Sequence, residues 1–494
     1  MRGTRTPVLA SCLALLASAF LPAAAPAWEW VYGPAATFDD AFRRVTPVPA
    51  CGGLQQGYIA VGTQDPGAVG DADVYVVRTN VLGNSAPLWE ATYDIQGLGL
   101  QDEGMAIVPV PGGYVFLSNS LNGVWRPALT MIGCNGNVLW SRFYPDAAAG
   151  QNLRGNDLIR LQTGNPAANP PTNVGDLAVA GRWFNGANDD AFLMRTTAAG
   201  VLIWNITHDV GLPEAFNALA EALPVAPEPA ADLVAVGRLT TTTGDSQGLV
   251  ARVNGNNGTI GAAPQCMQHH GLAAAAEVYN SVRRLQVFFP GQFAIVGTST
   301  NATAAGWLDD FWVTRGNSCG LTAQARFGNP GGVITSEHGH DIIELQLAKP
   351  GAPAGSLVAA GDHGPAIGGP YDAATVVLNP GLVPLAGQHR LFGDFGAFDE
   401  TFFSLAEDPG GWPIPAGFVL AGLTQRPIGG DPQDMYLVHD DPAVLACELP
   451  WNAQRVTTGV PQVNLTPQFK RPARHVQVPT PFIFQLNGIQ ICAP

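Results

Sequence analysis

The 494 residues carry 24 Lys and Arg against 39 Asp and Glu, a formal net charge of −15, and the only lysines are Lys349 and Lys470. Such a surface repels phosphate backbones and anionic lipid, which excludes nucleic acid and membrane surfaces as first partners and leaves cations, cationic proteins and neutral sugars open. The same acidity also serves plain solubility outside the cell.

In chain order, residues 1–27 read as an export signal. Arg2 and Arg5 give a positive start, Val8 to Leu21 is mostly apolar, and Ala25-Pro26-Ala27 is an A-x-A cleavage site. The apolar run is too short for an anchor and no later stretch could span a bilayer, so integral membrane association is not expected. The expected product is secreted, extracellular or periplasmic. Without Cys12 of the leader, Cys51, Cys134, Cys266, Cys319, Cys447 and Cys492 remain. Six cysteines in an oxidising compartment suggest disulfides, and Cys447–Cys492 is the preferred pair because it would tie down the C-terminal tail.

From Trp28 onward a four-part phrase repeats. Its second part is a β-rich apolar run ending in a small residue: Tyr58–Gly62, Tyr114–Ser118, Leu177–Gly181, Leu233–Gly237, Phe293–Gly297, Leu357–Gly361 and Phe418–Gly422. Seven copies between positions 62 and 422 give an average period of 60 residues. The third part often starts with aspartate, as in Asp73–Arg78, Asp190–Arg195, Asp310–Arg315 and Asp434–His439. The fourth is aromatic, with Trp89 and Tyr93, Trp140 and Tyr144, or Trp204 and His208 four residues apart. Four short apolar segments per unit, at a fixed period, describe propeller blades, because each unit buries its apolar face only against its neighbours.

Trp28 and Tyr32 repeat the spacing of the aromatic fourth part, with no first three parts before them. Residues 28–33 are therefore expected to supply the outer strand of the last blade. The reading is an all-β chain: a seven-bladed β-propeller of four-stranded antiparallel blades, closed by an N-terminal strand. The domains are 1–27 signal peptide, 28–446 propeller and 447–494 a Pro-rich tail packed on the ring.

These phrases resemble the bacterial secreted β-propeller repeats of the SBBP type. The matching pieces are Asp102 to Ile107, Gly62-Thr63, Gly297-Thr298, Asp190–Arg195 and Leu139–Tyr144, and the likeness covers most of residues 28–440. The resemblance implies a propeller at a cell surface or outside the cell. It implies no particular activity, since this fold hosts enzymes, binders and scaffolds alike.

Two constellations could carry chemistry. A carboxylate precedes an inner-strand apolar position by five residues at Asp40, Asp102, Glu214, Glu277 and Glu337, with Asp399 one residue out of step and Arg154 or Asn156 instead in the third unit. Around one channel mouth these would form an oxygen ring suited to calcium; the competing reading is that each caps backbone N–H groups at a blade junction. The sixth unit adds Glu337, His338, His340, Asp341 and His363, an imidazole–carboxylate set able to bind a transition metal or act as general acid and base. His208, His269 and His270 are expected on the same face. Trp125, Trp183, Trp307 and Trp412 are expected in loops, as candidate platforms for a ligand.

The expected function is a monomeric binding or interaction scaffold at or outside the cell envelope, with a protein or glycan partner. The alternatives are a carbohydrate-active lyase or hydrolase built on the sixth-unit histidines, and a structural exoprotein without ligand.

Overall fold

The computed structural model describes residues 28–440 apart from segments 33–39, 66–71, 82–87, 97–99, 145–150, 223–230, 262, 272–274, 304–305, 329–334, 350, 366–369, 386–387, 393–398, 409–416 and 426–433, and beyond 447 it describes seven short strands. Residues 1–27, Trp412 and Cys447 therefore lie outside the described residues.

Seven antiparallel sheets each contain four strands in sequence order, laid out as a ring. Blade 1 comprises β2 (Ala41–Val48), β3 (Gly57–Gln64), β4 (Asp73–Asn80) and β5 (Trp89–Asp94). Blade 2 comprises β6 (Asp102–Val110), β7 (Gly113–Asn122), β8 (Val124–Gly133) and β9 (Val138–Phe143). Blade 3 comprises β10 (Leu153–Arg160), β11 (Leu177–Phe184), β12 (Asp189–Thr196) and β13 (Leu202–Asp209). Blade 4 is β14 (Glu214–Glu221), β15 (Leu233–Thr240), β16 (Ser246–Val253) and β17 (Cys266–His270). Blade 5 is β18 (Ala276–Arg284), β19 (Phe293–Thr303), β20 (Gly306–Asn317) and β21 (Gly320–Gly328). Blade 6 is β22 (Thr335–Glu344), β23 (Leu357–Pro365), β24 (Asp372–Leu378) and β25 (Arg390–Phe392). Blade 7 has β26 (Glu400–Glu407), β27 (Phe418–Thr424) and β28 (Asp434–Asp440), and takes its fourth strand from β1 (Trp28–Tyr32).

That last pairing closes the ring as the Trp…Tyr spacing implies. Trp28 lies opposite His439 and Tyr32 opposite Met435. Trp30 and Tyr32 are buried, and they join a core shared by blades 7 and 1.

The repeat signature has local physical causes. Each inner strand carries a bulge, and the second strand's glycine sits against it: a Cβ on Gly62 or Gly361 would collide with the carbonyl of Ala41 or His338. The fourth-strand aromatics clamp the next blade. Trp89 and Tyr93 donate to the carbonyls of Cys134 and Gly136 at 2.7 and 2.8 Å, and Tyr144 donates to Gly200 at 2.6 Å. Gly136 and Gly200 occupy positive φ in tight turns that a side chain would strain, with the ring of Trp89 or Trp140 packed against each. The arginine ending the third strand crosses the same junction, as Arg195 does by donating to Gly255 at 2.8 Å.

Two disulfides fasten neighbouring blades: Cys51–Cys134 joins blade 1 to blade 2, and Cys266–Cys319 joins blade 4 to blade 5. The expected Cys447–Cys492 pair lies outside the residues whose side chains are described.

Beyond residue 447 the backbone makes β29 (Glu448–Pro450), β30 (Gln454–Val456), β31 (Gln462–Asn464), β32 (Gln468–Phe469), β33 (Val476–Gln477), β34 (Phe482–Phe484) and β35 (Ile489–Cys492). Each pairs antiparallel with the outer strand of a different blade, in the order 6, 5, 4, 3, 2, 1, 7. The tail thus makes one lap of the ring against the blade order, adding a fifth strand to every blade.

Candidate functional site

The face where each inner strand begins (the entry face) gathers the sixth-unit histidines. His338 and His340 flank Gly339 on β22, His340 being the residue the bulge inserts, and their ring centroids lie 6.4 Å apart. Both meet Asp362 of β23: His338 through Nδ1 at 2.5 Å and His340 through Nε2 at 3.0 Å. His338 Nε2 also lies 3.1 Å from Asp309 of blade 5, whose carboxylate accepts from Ser336 at 2.9 Å and from Thr300. Burial opposes charge on His338, but its two flanking carboxylates outweigh that and hold its pKa up at about 10. Burial likewise opposes charge on Asp362, yet its hydrogen bonds to His338 and His340 hold it down at about 2. His338 is therefore an imidazolium at neutral pH, with both ring N–H groups committed, and Asp362 is a weak base.

His363 and Glu337 form a separate pair at 2.7 Å. Asp341 leaves the cluster. The bulge between Gly339 and Asp341 inserts one residue, so Asp341 loses the i, i+4 relation that would set it beside Glu337. It faces the central channel instead, 3.2 Å from Arg283, 3.7 Å from Arg44 and 2.6 Å from the Ser281 hydroxyl. Burial would raise its pKa, but Arg283 and Arg44 keep it below the ordinary carboxylate value. Arg44 also donates to Asp157 at 2.8 Å, so four charged groups from blades 1, 3, 5 and 6 close the channel. On the far side a cavity of about 470 Å³ opens toward the exit face, with Arg160, Arg284, Glu344 and Glu407 on its walls. Arg44, Asp157 and Arg283 escape sequence reading. The usable signal is the position after the bulge, where Arg44, Asp157 and Asp341 align.

The inner-strand carboxylates do not gather in one ring. Each is buried in its own blade junction: Asp40 accepts from the Asp65 amide at 2.8 Å, Asp102 from the Ile95 amide at 2.6 Å, and Glu214 from the Val210 and Leu212 amides at 3.1 and 3.3 Å. Glu277 lies 3.4 Å from Arg326. In blade 7 the aligned position belongs to the buried Glu400, two residues before the bulge at Phe402; Asp399 lies just outside and accepts from the Tyr371 amide at 2.7 Å.

The other expected residues separate as well. His208 and His270 are fully buried against Phe216 and Tyr279, and burial lowers the pKa of each to about 4. Trp125, Trp183 and Trp307 lie in strands β8, β11 and β20, and Trp183 is buried. Trp125 lines a cavity of about 350 Å³ on the entry face between blades 2 and 3, with Asn152, Arg154, Arg182, Phe184 and Asp189. Arg154 lies 3.7 Å over the Trp125 ring, and Arg182 donates to Asp189 at 2.9 Å.

No protein-family model and no curated protein matches this sequence. Among solved structures, an α-L-arabinanase of Penicillium chrysogenum complexed with arabinobiose is similar at 12% identity and a TM-score of 0.43, covering 69% of this chain and 94% of that one. Sqt1 from Chaetomium thermophilum is similar at 12% identity and a TM-score of 0.40, covering 84% and 98%. Sqt1 bound to the N-terminus of the ribosomal protein L10 gives 12%, 0.41, 83% and 98%. At these values the likenesses carry no functional argument, and the seven-bladed fold rests on the strand pairing itself.

Proposed function

We propose that this chain is an exported binding scaffold of the bacterial secreted β-propeller repeat kind, taking a glycan on its entry face. The observation that carries the reading is the cavity between blades 2 and 3, where Trp125 and the half-exposed Phe184 stand beside Arg154, Arg182 and Asp189. Apolar rings beside a few fixed polar groups are what orient a sugar. Export is supported by the leader pattern of residues 1–27 and by two disulfides, which persist in an oxidising compartment. Among the described residues no helix is long and apolar enough to cross a membrane. The test is a glycan array probed with the mature protein and with Arg182→Ala. Retention of a glycan class by the first and not the second is expected; equal retention by both, or none by either, removes the reading.

A second reading, a polysaccharide lyase or hydrolase, is favoured by the meeting of His338, His340, Asp309 and the buried Asp362 in one largely buried cluster. It requires turnover of a polysaccharide that His340→Ala abolishes. The committed ring nitrogens of His338 weigh against it, because a base near neutral pH needs a free lone pair.

A further inference from the structure

Three carboxylates converge beneath the loop joining blades 3 and 4: Asp190 at the start of β12, Asp209 at the end of β13 and Glu214 at the start of β14. One oxygen from each lies within 4.8 Å of the others, and all three residues are buried. The same three repeat positions are acidic between blades 1 and 2, where Asp73, Asp94 and Asp102 converge within the same limit.

In each triad the inner-strand carboxylate has one buried oxygen without a hydrogen-bond partner among the described residues. Glu214 is 1% exposed; Oε1 accepts the Val210 and Leu212 amides, while Oε2 is buried with no hydrogen-bond partner. Asp102 is 0% exposed; Oδ2 accepts the Ile95 amide and Oδ1 is buried with no partner. Among the described residues neither has an ion-pair partner. The aligned carboxylates at two other junctions do: Glu277 has Arg326 at 3.4 Å and Glu337 has His363 at 2.7 Å. In those two junctions the fourth strand ends in His270 or Gly328 rather than in an aspartate. At those two junctions a basic side chain, Arg326 or His363, stands by the glutamate; beside Glu214 and Asp102 none does among the described residues.

We propose that Asp190, Asp209 and Glu214 form a divalent-cation site of the calcium type between blades 3 and 4, repeated by Asp73, Asp94 and Asp102 between blades 1 and 2. The donor set is all oxygen, which hard cations select. Calcium–oxygen distances of about 2.3–2.6 Å set opposed ligands roughly 4.6–5.2 Å apart, so oxygens within the observed limit can share one ion. Magnesium, which demands near-ideal octahedral geometry and keeps its waters, fits a buried three-acid cluster less well. Such ions would pin the third and fourth strands of one blade to the inner strand of the next. This inference is independent of what the entry face binds.

The experiment uses the mature chain with its disulfides intact, stripped with chelator and titrated with calcium or magnesium by calorimetry and thermal melting. The expected result is two equivalents of bound calcium, a melting temperature raised by millimolar calcium, and a smaller rise with magnesium. Glu214→Gln should lose one equivalent, and Glu214→Gln with Asp102→Asn both. In chelator, Glu214→Gln should melt at or above the unsubstituted chain, because it removes a buried charge from two others; that comparison separates a lost ligand from a damaged fold. Calcium stoichiometry unchanged in the double variant would overturn the proposal. So would a melt that calcium leaves unmoved while acidification raises it, which would assign the triads to shared protons.

Discussion

Arg44 on the inner strand of blade 1 donates to Asp157 on the inner strand of blade 3 at 2.8 Å, across 113 residues of sequence. Asp157 in turn accepts from the Leu219 amide of blade 4 at 3.1 Å, and Asp341 accepts from the Leu405 amide of blade 7 at 3.0 Å. The channel is thus an ionic hub to which six of the seven inner strands attach through Arg44, Asp157, Arg283 and Asp341. Replacing one partner strands the others in a site with little water. Arg44→Met is expected to cost about 3–5 kcal/mol, as breaking a buried pair generally does. Chemical denaturation with an unchanged m-value checks this; a loss below about 1 kcal/mol would mean that water already solvates the hub.

The Asp309–His338–Asp362 chain predicts a pH dependence on both sides of neutrality. The His338 pKa is raised to about 10, so its contribution is full below the unfolded value of about 6.5 and is lost as pH rises through 10. Asp362 is depressed to about 2, so its contribution is present above about 3.9 and is lost as pH falls through 2. The melting temperature of the unsubstituted chain minus that of His338→Gln should therefore shrink between pH 6.5 and 10. NMR of the imidazole nitrogens should show His338 still doubly protonated at pH 8; a neutral ring there would refute the assignment.

Legibility differed between the parts of the molecule for physical reasons. Seven blades could be counted because second strands such as Leu177–Gly181 are covered on both faces, so each is a near-continuous apolar run beside a glycine that the bulge requires. The closing strand was recoverable because Trp28 and Tyr32 copy the four-residue spacing of Trp89 and Tyr93. The bulge also hid the site. His340 is itself the inserted residue and still meets Asp362 beside His338, whereas Asp341 just after it is turned into the channel. The carboxylates were visible as a period, but whether they meet one another or the neighbouring blade depends on Asp94 and Asp209, which only the fold brings alongside. The tail offered least, since pieces of two to four residues are too short for any periodicity to declare itself.

Closure by β1 predicts that a single side chain near the N-terminus matters as much as a central one. Trp30 and Tyr32 are each 1% exposed, and Tyr32 packs edge-on to Phe42 of blade 1 with centroids 5.7 Å apart. Trp30→Ala is expected to destabilise by about 3–5 kcal/mol, in the range for a large aromatic lost from a core. Deletion of residues 28–33 should lower the melting temperature further, because β28 loses its ladder partner as well. Equilibrium unfolding of both variants checks the order; a deletion that melts like the intact chain would show that the ring closes without this strand.

The circumnavigating tail predicts a different kind of defect. Its seven strands pair with β1, β5, β9, β13, β17, β21 and β25, the outermost strands of the blades proper. Each contact is only two to four residues long, so removing any one should alter stability little. Removing all of them by stopping the chain after residue 446 uncovers seven sheet edges at once, and exposed edges template pairing with other chains. The truncated protein should keep its propeller core, since the blade interiors bury their apolar clusters without the tail. It should exchange amide hydrogens faster along those seven strands and along no inner strand, and it should self-associate in a concentration-dependent way that the full chain does not. Hydrogen exchange by mass spectrometry, paired with sedimentation, tests both halves. Faster exchange spread over the inner strands would mean that the tail holds the whole ring together; unchanged exchange at the outer strands would mean that its pairing does not persist in solution.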